Sequence, residues 1–137
     1  MIVINIKLAN KNKLTFIGHY RQWNIPMTPH DIRYNGQTYR YDRTLKTFNT
    51  YMKDNNDVII VGDDNIDTLK DNNKYNIYNN FELKDLRDQF LIDSDMTQHN
   101  FKPTFTRAGI KSCIDHIYSN CSYKITDVVT QRHTLRP

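Results

Sequence analysis

Cysteine, glycine, proline and long apolar runs are all scarce in this chain, and each shortage narrows the reading. Two cysteines, Cys113 and Cys121, in 137 residues cannot build a disulfide framework and suit a reducing compartment. Four glycines and four prolines are too few for a Pro/Gly/Ser linker, and neither an internal repeat nor a block of like charge divides the chain. The longest apolar runs, such as Val58-Ile59-Ile60-Val61-Gly62, fall far short of the roughly 20 residues of a bilayer-spanning helix, so no membrane span is expected. Met1-Ile2-Val3-Ile4-Asn5-Ile6 has neither a basic leader nor a small-residue cleavage site, which argues against a secretory signal. Neither sign of charge dominates: 19 Lys+Arg against 15 Asp+Glu leave +4. That balance permits a polyanionic partner without demanding one. Alanine and glutamate give way to Asn, Lys, Ile, Asp and Tyr, a bias of A+T-rich coding sequence that says little about function.

What is present is a globular composition, 38% hydrophobic and 25% charged, at a length that supports one domain with one core. Residues 2–8 and 14–20 alternate in part and flank the polar cluster Ala9-Asn10-Lys11-Asn12-Lys13, which predicts a β-hairpin. Residues 23–36 carry Pro26, Pro29 and Gly36 and read as loop. Tyr41, Leu45, Phe48 and Met52 recur at three- and four-residue spacing and predict an amphipathic helix over 39–53, ended by Asp54-Asn55-Asn56. The β-branched run 57–62 reads as a strand buried on both faces. Residues 63–80 are polar and show no period. Leu83, Leu86 and Phe90 share one face of a second predicted helix, 81–91. Residues 112–119 and 123–129 read as two further strands. The order ββ-α-β-α-ββ argues for an α/β fold, with Ile59, Ile60, Val61, Ile114 and Ile117 as its core.

Four clusters can carry chemistry. After the 57–62 strand, Gly62-Asp63-Asp64-Asn65 presents Asp63 and Asn65 on one face at a strand's carboxyl end, a usual place for sites in α/β proteins. A carboxylate beside a carboxamide can hold a water and a phosphoryl oxygen together, although Gly-Asp-Asp-Asn is equally ordinary turn chemistry. Asp115, inside the apolar run Ser112-Cys113-Ile114-Asp115-His116-Ile117, is costly unless paired or coordinating. Zinc on Cys113, His116 and Cys121 is disfavoured, because structural sites use four ligands in tight pairs. Tyr20 can donate to a phosphate, and Arg21 can pair with one. Lys102-Pro103-Thr104-Phe105-Thr106-Arg107 is a basic and aromatic loop suited to a nucleic-acid backbone.

In this order, Tyr20-Arg21, Gly62-Asp63-x-Asn65, Pro103-Thr104 with Thr106-Arg107, and Ser112-x-Ile114-Asp115-His116-Ile117 resemble the endonuclease/exonuclease/phosphatase superfamily. The resemblance is strongest to the endonuclease domain of LINE-type (non-LTR) retrotransposons and runs over essentially the whole chain. It implies a DNase I-like fold, here a partial four-layer α/β/β/α sandwich in which residues 1–137 form a single, incomplete domain. It also implies metal-dependent hydrolysis of DNA phosphodiesters with Mg2+ or Mn2+. Asp63 would place the attacking water and contribute weakly to the metal. Asn65 would hold the scissile phosphate, Tyr20 would touch that phosphate or a metal-bound water, and Asp115 would orient a histidine. Arg21, Thr104 and Arg107 would bind substrate. The parent protein would act on DNA in the cytoplasm and nucleus, fused to a reverse transcriptase.

The departures from that pattern are specific. The sole glutamate, Glu82, lies on a predicted helix and does not match the family's metal-binding Glu. No Ser-Asp-His box follows, and His133 lacks the preceding Asp. The expected behaviour is therefore loose metal binding without turnover. Asp64 stands where the family usually carries an apolar or aromatic residue, adding a charge that would raise the pKa of either carboxylate or offer a further metal oxygen. Two rival readings are a non-catalytic nucleic-acid-binding remnant using Tyr20, Arg21, Lys102 and Arg107, and a phosphatase on the same scaffold.

Overall fold

A computed structural model describes residues 1–9, 12–22, 36–53, 57–69, 78, 80–121 and 125–131. The opening hairpin forms as the alternation predicts, with β1 (Ile2–Lys7) antiparallel to β2 (Lys13–Tyr20). Helix α1 (Gly36–Met52) buries Tyr41, Leu45 and Phe48 at the predicted spacing and starts three residues earlier than expected, at Gly36 itself. Its threonines fit because Thr44, Thr47 and Thr50 each return their hydroxyl to a carbonyl of the preceding turn. Strand β3 (Asp57–Asp63) follows, parallel to β2. Helix α2 (Phe81–Asp93) is capped by Asn80, whose side chain accepts from the Leu83 N–H at 3.2 Å.

Three short strands were not foreseen: β4 (Thr97–Gln98), β5 (Phe105–Arg107) and β6 (Ile110–Ser112). The strand expected over 112–119 is shorter, β7 (Asp115–Ser119), and Ser112 instead ends β6. Between them the ladder gives way to side chains: the Cys113 N–H donates to Asp67 Oδ1 and the N–H groups of Ile114 and Asp115 to Thr104 Oγ1. The strand expected over 123–129 is also absent where the chain is described, since residues 125–131 have no regular structure. Most of the expected 23–36 loop, the end of the first helix at 54–56, residues 70–77 and His133 lie outside the described residues.

The main sheet has the order β1-β2-β3-β7-β4, and β5 pairs with β6 as a separate hairpin. Both helices cover one face of the main sheet. There Ile17, Val58, Ile60 and Tyr118 pack against Tyr41, Leu45, Phe48, Leu83 and Phe90 in one core. The opposite face carries Ile59, Val61 and Ile117, which are only partly buried. The expectation of a β3 buried on both faces is thereby corrected: its burial alternates, and of the five expected core residues Ile60 and Ile114 alone are buried. On β1 this open face presents Ile2, Ile4 and Ile6, which are 68%, 51% and 42% exposed. No helix among the described residues is long and apolar enough to cross a membrane.

Candidate functional site

The register of three strands builds the site. Because β2 and β3 run parallel, their carboxyl ends arrive together, with Tyr20 beside Asp63. Strand β7 runs the other way and begins at the same level, with Asp115 beside Asp63. Directly paired residues share a face, so Tyr20, Asp63 and Asp115 form one row on the face opposite the helices. Asp63 and Asp115 open into a cleft of about 260 Å³ that Asn100, Thr104 and Val128 also line. Burial raises the Asp63 pKa above the ordinary carboxylate value, and the nearby Asp115 adds to this, outweighing the bond Asp63 accepts from the Asn65 N–H. Tyr20 is exposed and does not line this cleft; it borders a separate cavity with Arg21 and with Gln37 and Arg40 of α1.

Asp115 is held by residues that the sequence did not single out for the purpose. Thr104 Oγ1 accepts its N–H at 3.1 Å, and Asn100 Nδ2 donates to its carbonyl at 2.7 Å. Asn100 Oδ1 also accepts from the Ile117 N–H at 2.8 Å. Asn100 is buried and fixes β7 from outside the ladder. Nothing in its local sequence signals this, because its partners lie 15 and 17 residues away.

Asn65 does not line the cleft of Asp63 and Asp115. It is buried, adopts a left-handed backbone with φ 50°, and donates from Nδ2 to the Arg21 carbonyl at 2.6 Å. Arg21 in turn points inward, with Nε on the Asp64 carbonyl at 2.5 Å and Nη2 on the Asn65 carbonyl at 3.0 Å.

Asp64 is not a second metal oxygen beside Asp63. It lies on the helix side of the sheet, 1% exposed, and is saturated by side chains. His19 Nε2 donates to Oδ1 at 2.5 Å, His116 Nδ1 donates to Oδ2 at 2.6 Å, and the Tyr118 hydroxyl donates to Oδ2. The network continues through Arg87, which donates from Nε to the Tyr118 oxygen at 2.8 Å and from Nη2 to Gln98. Burial works against charge at both ends of the Asp64–His116 pair, but their mutual bond wins. It holds Asp64 far below the usual carboxylate range and lifts His116 from 6.5 to about 9. The other His116 nitrogen, Nε2, faces the Cys113 carbonyl at 2.9 Å, which leaves no ring nitrogen for the zinc considered with Cys113 and Cys121. No local sequence pattern announced this network: His19 and His116 meet at Asp64 because both flank Gly62 in the sheet register.

In architecture, the chain is similar to half of a retrotransposon endonuclease domain. The solved structure is the endonuclease domain of TRAS1, a telomere-specific non-LTR retrotransposon. The two share 19% sequence identity at a TM-score of 0.50, over 88% of this chain and 50% of that one. At such identity the likeness speaks for the fold, part of the DNase I-like α/β arrangement. No protein-family model matches the sequence, and no curated protein does.

The β5–β6 hairpin stands beside the cleft, with Phe105 and Arg107 exposed and Ala108-Gly109 at its tip in left-handed conformations. Lys102, Thr104, Thr106 and Lys111 line a second opening at its base. Among the described residues no group of three or more His, Cys, Asp or Glu side chains is placed to hold a metal. The adjacent carboxylates of Asp63 and Asp115 fit a hard cation that keeps most of its waters.

Proposed function

We propose that residues 1–137 form part of a metal-dependent nuclease domain that acts on DNA phosphodiesters. The observation that carries this reading is the row Tyr20–Asp63–Asp115 on the open face of the sheet, in a fold similar to half of an endonuclease domain. In this reading Asp63 places the attacking water and Tyr20 donates to the phosphate. Thr104 keeps its own hydroxyl proton to donate while accepting two N–H groups. Asn65, buried with its amide on the Arg21 carbonyl, acts indirectly by bracing the turn that follows Asp63. Lys102 and Arg107, at the base and tip of the hairpin, track the DNA backbone. Magnesium or manganese, bound through Asp63 with water completing its shell, would supply Lewis-acid polarisation of a phosphoryl oxygen. A reverse transcriptase on the same polypeptide is the companion this reading implies.

The chain by itself is proposed to bind DNA without cutting it. Glu82 lies in the first turn of α2, in the helix layer across the sheet from Asp63, and cannot join it at a metal. Groups that act as one catalytic unit are strongly non-additive, so a partial set leaves little turnover. The test combines plasmid nicking with a salt titration of duplex DNA binding, in magnesium or manganese. Binding should weaken steeply with salt and fall further in a Lys102→Ala/Arg107→Ala variant, with no nicking. Absence of binding at low salt would overturn the DNA reading. Nicking that disappears in Asp63→Ala would overturn the claim of inactivity.

A further inference from the structure

The segment from Asp63 to Asn65 leaves the end of β3 without regular structure beyond it, yet it carries Asp63, on which the proposed chemistry rests. One residue of the neighbouring strand end holds its course. The Arg21 N–H donates to the Asp63 carbonyl at 2.8 Å. Its Nε donates to the Asp64 carbonyl at 2.5 Å and its Nη2 to the Asn65 carbonyl at 3.0 Å. Asn65 Nδ2 returns a bond to the Arg21 carbonyl at 2.6 Å. Four bonds thus join Arg21 to three successive residues, one of them in the left-handed region that costs a non-glycine residue free energy.

An arginine that reads a phosphate turns its fork outward to two charged oxygens. Here both Nε and Nη2 are spent on neutral carbonyls, and the guanidinium lies 6.0 Å from the centre of the Tyr41 ring. We propose that Arg21 is a positioning residue that fixes the Asp63–Asn65 backbone, keeping the Asp63 carboxylate in the row with Tyr20 and Asp115, and that it does not itself contact a DNA phosphate. The inference rests on the nuclease reading for its purpose, but its structural content stands in the free protein. Lysine cannot replace the fork, since a single ammonium does not span two successive carbonyls in one plane.

The experiment compares the full chain with its Arg21→Lys and Arg21→Met variants in two measurements. The first is amide hydrogen exchange without DNA. Exchange of the Asn65 N–H, which is bonded to Asp63 Oδ1, should quicken roughly tenfold in both variants as the two guanidinium bonds of the clamp are lost and its two backbone bonds remain, with Ile60 unchanged as the β3 control. The second is the salt dependence of duplex DNA binding. A positioning role leaves the slope of log K against log salt in Arg21→Met equal to that of the parent, whereas loss of a phosphate contact lowers its magnitude by about 0.9. Unchanged Asn65 exchange, or a reduced slope, overturns the proposal. Should Arg21→Met fail to fold, Arg21→Lys and the parent still decide: the parent's Arg21 Nε–H should exchange more slowly than that of Arg107. Failure of the nuclease reading looks different, because no form would then bind DNA while the exchange result would still judge the clamp.

Discussion

Replacing Asp64 with asparagine tests whether the buried polar network is a principal support of the fold. The change keeps the shape of the side chain and removes the charge that His19, His116 and Tyr118 all address. Two estimates of the cost agree. The rise of the His116 pKa from 6.5 to about 9, at about 1.4 kcal/mol for each tenfold, corresponds to about 3 kcal/mol. Removing one partner of a buried ion pair costs about 3–5 kcal/mol. For a chain of this size that lowers the melting temperature by roughly 10–20 °C. The pH dependence follows from the same pair. His116 is raised above its unfolded value, so its contribution is complete below about pH 6.5 and disappears as pH rises through about 9. Asp64 is depressed, so its contribution is complete above the ordinary carboxylate pKa and is lost only in strong acid. The parent chain should therefore lose about 3 kcal/mol between pH 6.5 and 9, and Asp64→Asn should lose little over that range. Urea unfolding at a series of pH values measures both. An Asp64→Asn variant within about 0.5 kcal/mol of the parent, together with a flat parent profile up to pH 9, would refute the reasoning.

Three other perturbations address separate parts of the structure. Gly62→Ala drives a Cβ into the His19 carbonyl oxygen, so it should cost at least about 1–3 kcal/mol by overpacking and shift the Tyr20 and Asp63 resonances that flank the pair. Asn80→Ala removes the cap that accepts the Leu83 N–H and should cost about 1 kcal/mol in chemical denaturation without disturbing the sheet. Ile2→Thr/Ile4→Thr/Ile6→Thr reduces the exposed apolar stripe of an edge strand, a feature that favours association. Sedimentation velocity should show the parent self-associating and the triple variant less so; a parent that stays monomeric at high concentration would count against that reading.

The elements legible in the sequence were those whose pattern is local. The hairpin declared itself by alternation around a polar turn, α1 by Tyr41, Leu45 and Phe48, and β3 by its β-branched run. Strands β4, β5 and β6 are two or three residues long, too short for a period to register. In α2 the buried face is Leu83, Arg87 and Phe90, and the arginine breaks the apolar pattern because its partners, Tyr118 and Gln98, come from other elements. Asp63 and Asp115 were legible as costly carboxylates near strand ends, and the sheet register brings them together. The fate of Asp64 was not legible. An aspartate beside another aspartate reads as shared chemistry, and only the pleat sends one to each face. The inward turn of Arg21 was hidden for the same reason, since its acceptors are backbone carbonyls that no residue type advertises.

The pleat that divides Asp63 from Asp64 divides every strand of the site in the same way. Tyr20 and His19, Asp63 and Asp64, and Asp115 and His116 are adjacent in sequence, and in each pair the sheet register puts one member on the open face while the other joins the buried network. The arrangement therefore has a parity. Inserting or deleting one residue within β7 would exchange Asp115 for His116 at the cleft and bring a carboxylate against Asp64, whereas a change of two would preserve each residue's side. Length variation among related chains should accordingly be even within these strand ends and unconstrained in the segments that join them. The buried ion pair thus acts as a lock on phase: it fixes which of two neighbouring side chains the open face presents.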